Sequence, residues 1–189
     1  MTTTTRSAQS SDVDWITALL KEGAKQGHFG ATVAVQAEAV VKHVLSHGAM
    51  TMLKVRNGRQ EIVNVQSRIL VAESHGMPAS FLLSIKHDAD IELHLAGTQR
   101  AFRKQGCFKH LVAAELASHP AQTRFFGRCY AKSTWAMAAL RNAGFELTKQ
   151  GDPIELSLVS TTNHLPHLIA SPESVQEKSW YSHLKFWNK

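Results

Sequence analysis

Arg103-Lys104-Gln105-Gly106-Cys107-Phe108 is a basic, glycine-bearing turn set between two stretches of different periodicity. Before it, Ile91-Glu92-Leu93-His94-Leu95 alternates apolar and polar residues, the pattern of a half-buried strand. After it, Phe108, Leu111, Val112 and Leu116 recur at helical spacing, with Ala113, Ala114 and Ala117 between them. A strand, a basic turn and a helix start predict an anion cradle, because the first N–H groups of a helix lack internal partners and its dipole is positive there. Gly106 would let a phosphate approach the backbone with no Cβ in the way. A plain strand-to-helix turn with a solvated basic edge is the other reading of the same residues.

Further on, Ser133 to Phe145 reads as a second helix. Ser133 or Thr134 can cap its start. Gly144 can take the left-handed position beyond its end, with Phe145 as the hydrophobic contact that follows. With these residues in place, the segment from about Ile91 to Phe145 resembles the core of the GCN5-related N-acetyltransferases, the GNAT superfamily. Arg103 and Gly106 match that family's acyl-CoA loop pattern, and Ala136 with Gly144-Phe145 matches its later helix. Three positions depart from it. Phe108 stands where the loop usually ends in a small residue, Ser133 where Asn is frequent, and Leu140 where many members carry the Tyr that protonates the leaving thiolate.

The resemblance implies an α+β fold with a mixed, mostly antiparallel central sheet flanked by helices. It implies acetyl-CoA as acyl donor, with no metal, and an N-acyltransferase that moves acetyl to a primary amine on a small molecule, peptide or protein. Cofactor contacts are then expected from Leu95, Ala96, Arg100, Arg103, Lys104, Gln105, Gly106, Cys107, Phe108, Lys109 and Ser133. Glu92 matches the position of a glutamate base, with His94, on the same strand face, as the second candidate. With the usual Tyr missing, Tyr130 is the candidate acid, beside Ser133 and Cys129. Cys107, among the loop N–H groups, is either a thiol of lowered pKa or a small packing residue.

The chain has 189 residues, 43% of them hydrophobic, which suits one domain with a substantial core. No apolar run is long enough to predict a membrane span, and the Thr-rich start predicts no secretory signal. Two cysteines, Cys107 and Cys129, give no disulfide framework and point to a reducing, cytoplasmic compartment. The eleven histidines form no familiar ligand spacing, so no metal site is expected. Between Thr98 and Lys132 seven basic residues face one acid, Glu115, so this segment holds the whole +6 excess of the chain. Such a segment serves CoA phosphates, solvates a helix face, or meets nucleic acid, the last being the less favoured partner.

Residues 1–10 read as a flexible lead, 11–160 as the acyl-CoA-binding domain and 161–189 as a C-terminal extension. Ser11 to Asp14 has the form of a capping box opening a helix through Ile16 and Leu20, broken at Gly27-His28-Phe29-Gly30. A second helix is predicted from Ala31 to Ser46, then strands near 50–56, 60–73 and 79–87, the first two joined by an Asn57-Gly58 hairpin turn. Strands at 125–130, 145–148 and 154–159 complete the order. The extension carries Trp180, Tyr181, Phe186 and Trp187, dense enough either to dock on the domain or to meet a second copy or another protein. Two function classes remain: an acyl-CoA-dependent N-acyltransferase, and a non-catalytic relative that binds or assembles and retains CoA.

Overall fold

The computed structural model describes residues 3–56 and 59–159. The Asn57-Gly58 turn and the aromatic extension lie outside the described residues. An edge strand β1 (Thr3–Ser7) leads through a 3-10 turn into helix α1 (Val13–Lys25), followed by α2 (Ala31–His47). Strands β2 (Ala49–Arg56), β3 (Arg59–Ser74), β4 (Met77–His87) and β5 (Asp90–Thr98) then run as an antiparallel meander. Helix α3 (Cys107–Ala117), β6 (Arg124–Cys129), α4 (Thr134–Asn142), β7 (Glu146–Lys149) and β8 (Ile154–Val159) complete the chain. The sheet order is β1-β3-β4-β5-β6-β8-β7, with β2 paired to the first half of β3. Every pairing is antiparallel except β5 with β6. This is the mixed, mostly antiparallel α+β arrangement expected from the sequence.

Period-2 strands offer a different set of side chains to each face, and both faces are covered. On one, Ile16 and Leu20 of α1 and Val41 and Val44 of α2 pack on Ile69, Val71, Phe81, Leu83 and Ile85. On the other, Leu111, Val112 and Leu116 of α3 and Leu140 of α4 pack on Leu82, Ile91, Leu93 and Phe125. Each fully buried aliphatic side chain contributes about 1.5–3 kcal/mol. The strand β4 is buried almost throughout because it is covered on both sides. The second motif helix ends as expected: Gly144 takes φ 92°, and the Phe145 N–H donates to Leu140 O at 3.1 Å.

Residues 3–10 are not a flexible lead. Thr3–Ser7 pair with Leu70–Ser74, and Arg6 ties the strand down at both ends of its guanidinium. It reaches Glu73 at 2.6 Å and Asp12 at 2.7 Å. Asp12 is buried and accepts the Gln9 N–H (2.8 Å) and the Trp15 indole N–H (2.9 Å). The capping interaction therefore runs from Gln9 to Asp12, not from Ser11 to Asp14. The sequence concealed this because an edge strand of three threonines, an arginine and a serine has no apolar face.

Burial raises the Asp12 pKa, but the Arg6, Gln9 and Trp15 hydrogen bonds outweigh it and hold the carboxyl below its ordinary value. A depressed folded pKa adds stability above the unfolded value, near 4, and that stability is lost as pH falls through the folded value. Arg6→Ala should therefore cost about 3 kcal/mol at neutral pH, since it strands a buried charge. The deficit should narrow in acid below about pH 4. Urea melts of both proteins at pH 7 and pH 3 measure the difference; an equal deficit at the two values removes Asp12 from the account.

Candidate active site

A cleft of about 660 Å³ opens at the C-terminal end of β5. Its floor is Ala96, Gly97 and Thr98. One wall comes from α1 and the turn after it, through Leu19, Gly23, His28 and Phe29. The other comes from Phe108 of α3 and from Trp135, Ala136 and Ala139 of α4. The mouth carries Arg103, Lys104 and Lys109. Gly97 is small for a packing reason, since a Cβ there would come within 2.8 Å of the Phe81 ring.

The loop between β5 and α3 forms the basic glycine turn read from the sequence. Lys104 has φ 66° and Gly106 φ 79°, both left-handed, and α3 starts immediately after at Cys107. The first backbone N–H to bond back is that of His110, to Gly106 O at 3.1 Å. The N–H groups of Cys107, Phe108 and Lys109 therefore have no acceptor in their own helix. Gln105 props the turn from behind, accepting from the Ser74 hydroxyl (3.3 Å) and donating to Ala101 O (3.0 Å). The bulky Phe108 does not disturb the turn. It falls in the first helical turn, where its ring joins the cleft wall and its N–H stays free.

Beside the cleft, β5 and β6 pair at only two positions, Ile91 with Phe125 and Glu92 with Phe126. Beyond these no β-bridge joins them. In the same place β5 carries a bulge against β4: Leu83 faces Leu95 and Ser84 faces Leu93, so His94 has no partner on either neighbour. Glu92 is only 2% exposed. Its Oε1 accepts from His94 Nδ1 (2.9 Å) and its Oε2 from His87 Nε2 (2.8 Å), with Arg128 Nη1 at 3.5 Å. Burial raises the Glu92 pKa, but the hydrogen bonds and charges of His94, Arg128 and His87 outweigh it, so the carboxyl lies below its ordinary value. An ionised carboxylate only accepts, so the proton sits on His94 Nδ1 and on His87 Nε2. His94 Nε2 is left as a free acceptor on a side chain 25% exposed.

No protein-family model matches the chain, and no curated protein does. Solved structures do match. The PaiA N-acetyltransferase of Thermoplasma acidophilum, in complex with coenzyme A, superposes with a TM-score of 0.59 at 9% identity, over 84% of this chain and 99% of that one. A GNAT-superfamily phosphinothricin acetyltransferase of Sinorhizobium meliloti, in complex with AcCoA, gives 0.56 at 15% identity, over 85% and 89%. The ribosomal-protein-S18-alanine N-acetyltransferase of Escherichia coli gives 0.54 at 12% identity, over 93% and 99%. The chain has the GNAT fold.

Within this GNAT-fold chain the predicted cofactor residues divide. Ala96, Arg103, Lys104, Gly106, Cys107, Phe108, Lys109 and Ser133 all line the cleft. Leu95 is buried in the α1–α2 core, Gln105 supports the loop, and Arg100 is exposed away from the lining. Ser133 does not cap α4 with its side chain; its hydroxyl lies 3.3 Å from His28 Nδ1. Tyr130 is not a cleft-lining residue, and its hydroxyl lies against Gly30. Glu92 and His94 are brought together, but on the sheet beside the cleft rather than in its lining.

Residues of the α1 wall were missed. His28 and Phe29 were visible only as part of a helix-breaking Gly27-to-Gly30 turn, and nothing local marks such a turn as a cleft wall. Trp135 was likewise passed over as a helix residue; it is 77% exposed, with Lys104 Nζ 5.8 Å from its ring centre.

Of the two readings of Cys107, the thiols favour the packing one. Burial pushes the Cys107 thiol up, and Cys129 up to about 11, so neither is an activated nucleophile. Leu140 is 3% exposed and packs against Gly127, where an added Cβ would come within 3.1 Å of its Cδ1. A tyrosine there is therefore no simple restoration of an acid. Leu140→Tyr should cost about 1–3 kcal/mol by overpacking, more if its hydroxyl finds no partner. Thermal melts check this, and an unchanged or raised midpoint would show room beside Gly127. Among the described residues no group of three metal-ligating side chains comes together, and no helix is long and apolar enough to cross a membrane.

Proposed function

We propose that the chain is an acyl-CoA-dependent N-acyltransferase of the GNAT superfamily that moves acetyl from acetyl-CoA to a primary amine. The observation that carries this reading is the cleft whose mouth is the left-handed Gly106 turn at the start of α3. Phosphates of the donor meet the free amides of Cys107 to Lys109, with Arg103, Lys104 and Lys109 around them. The pantetheine arm runs down the apolar lining between Phe108, Ala136 and Ala139 toward Ala96. The thioester then lies at the end of β5, where the bulge at His94 leaves a backbone amide unpaired in the ladder to polarise its carbonyl.

The acceptor enters from the side of α1 and α2, where His94 and Glu92 face the gap between β5 and β6. Its nitrogen lone pair forms the new C–N bond, the C–S bond breaks, and the electron pair leaves as CoA thiolate. The surplus proton passes from the amine to His94 Nε2, while Glu92 holds the ring by Nδ1–H. Glu92, expected from the sequence as the base, acting directly or through a water, is here given the positioning role, because both its oxygens are already engaged. A thiol ordinarily ionises near 8.5, so the leaving group departs as an anion without an obligatory acid. Tyr130→Phe should accordingly leave turnover within about threefold, since removing a general acid costs far more. Steady-state rates on a confirmed amine decide, and a hundredfold loss would restore Tyr130 as the acid.

The direct experiment is calorimetric titration with CoA and acetyl-CoA, followed by a turnover screen over amines, peptides and charged tRNA. CoA binding with no acceptor found keeps the reading open to further amines. No CoA binding at all sinks it and favours the non-catalytic alternative.

A further inference from the structure

Arg128 is the one guanidinium on the open face of β6 that the described residues leave without a hydrogen bond. Its neighbour on that face, Arg124, is fully engaged, with Asp90 at 2.7 Å and Glu155 at 2.9 Å. Arg128 lies 3.5 Å from Glu92 and 3.4 Å from Glu155, beyond ordinary hydrogen-bond length, and its side chain is 50% exposed. The guanidinium carbon of each arginine lies 5.1 Å from the centre of the Phe126 ring, within cation–π range. A half-exposed guanidinium held by its two carboxylate neighbours only at ion-pair distance still has donors to offer an incoming carboxylate in charge-assisted hydrogen bonds.

Its place in the sheet says what that carboxylate belongs to. Glu92 is in register with Phe126, and His94 and Arg128 each stand two residues further on, beside the gap where β5 and β6 cease to pair. Both approach the same Glu92 oxygen, Oε1. A molecule whose amine reaches His94 Nε2 therefore has the Arg128 fork a few bonds away. The fixed charges on this face are Asp90, Glu92 and Glu155 against Arg124 and Arg128, three acids to two bases. That balance attracts an incoming ammonium and tolerates one carboxylate, but repels a phosphate dianion.

We propose that the acceptor is a small amine bearing a carboxylate within a few bonds of its nitrogen, an amino acid, and that Arg128 binds that carboxylate. The inference rests on the acyl-transfer reading above. The test is acetyl-CoA turnover on a panel of L-amino acids, each compared with its own α-amide. Amino acids should exceed their amides in kcat/KM by about 10- to 100-fold, the worth of a charge-assisted hydrogen-bonded pair. Arg128→Gln should raise KM for the acids and collapse the acid-to-amide ratio toward one, and Arg128→Lys should recover part of it. A purely structural Arg128, acting through Glu92, would lower both substrates alike and leave the ratio intact; that result overturns the proposal. So does acetylation of amides as readily as acids, or of none of the panel. The acyl-transfer reading fails by a different sign, loss of CoA binding, measured on the same samples by calorimetry.

Discussion

Replacing Gly106 with valine lowers CoA affinity by about 10- to 100-fold, because a β-branched residue at φ 79° costs on the order of 1–3 kcal/mol. The sequence alone suggested a different cause, a Cβ standing in the path of the phosphate. In the structure a Cβ at Gly106 meets no other protein atom within 4 Å, so within the free loop the cost of valine is backbone strain, a second cause beside the one the sequence suggested. The strain relaxes by turning the loop, and the amides of Cys107 to Lys109 lose their common aim. The two causes predict different companions. Gly106→Asn, which tolerates the left-handed region, should retain most of the affinity, whereas a steric block would penalise it too. Calorimetry on folded proteins distinguishes them, and equal affinity for valine and glycine would remove the turn from the site.

His94→Gln lowers turnover by about 10²–10⁴-fold, the usual worth of a general base, with CoA affinity retained. Glutamine keeps a donor toward Glu92, so the variant tests the free Nε2 and not the packing. The deficit should shrink as pH rises, because more of the acceptor amine is already deprotonated. Glu92→Gln behaves differently. It leaves one carbonyl oxygen where two imidazoles now donate, so it loses stability as well as rate, by about 1–3 kcal/mol. The Glu92 carboxyl has a folded pKa below its ordinary value, so its stabilisation is present at neutral pH and fades as pH falls through that folded value. The stability gap between wild type and Glu92→Gln should therefore close in acid. If His94→Gln turns over at the wild-type rate, the proton goes elsewhere and the dyad is structural.

The strand, turn and helix around Gly106 were legible because each has a local cause. Alternation made β5, helical spacing made α3, and Gly48 and Gly144 marked helix ends where their left-handed φ is needed. The order of elements was enough to expect a mixed sheet with helices on both faces. The edge strand β1 was not legible, since it is held by Arg6, Glu73 and Asp12, residues up to 67 positions apart. The basic segment misled for the same reason. Counted along the chain, Thr98 to Lys132 holds the whole positive excess; folded, Arg124 and Arg128 lie against Asp90, Glu92 and Glu155 from other strands. Only Arg103, Lys104 and Lys109 of its seven basic residues remain at the cleft.

By itself, then, the sequence determined the secondary elements after β1, their order and the glycine turn that opens α3, all of which depend on periodicity, backbone freedom and helix-end chemistry within some fifteen residues. What only the tertiary structure decided is how the chemistry is shared among side chains. Glu92 and His94 sit two residues apart and could each have been the base. The bulge at His94, set by pairing with β4, and the parting of β5 from β6 leave one ring nitrogen open while the carboxylate is enclosed by His87 and Arg128. Burial and charge at a carboxylate depend on what other strands bring to it, and no local pattern records that.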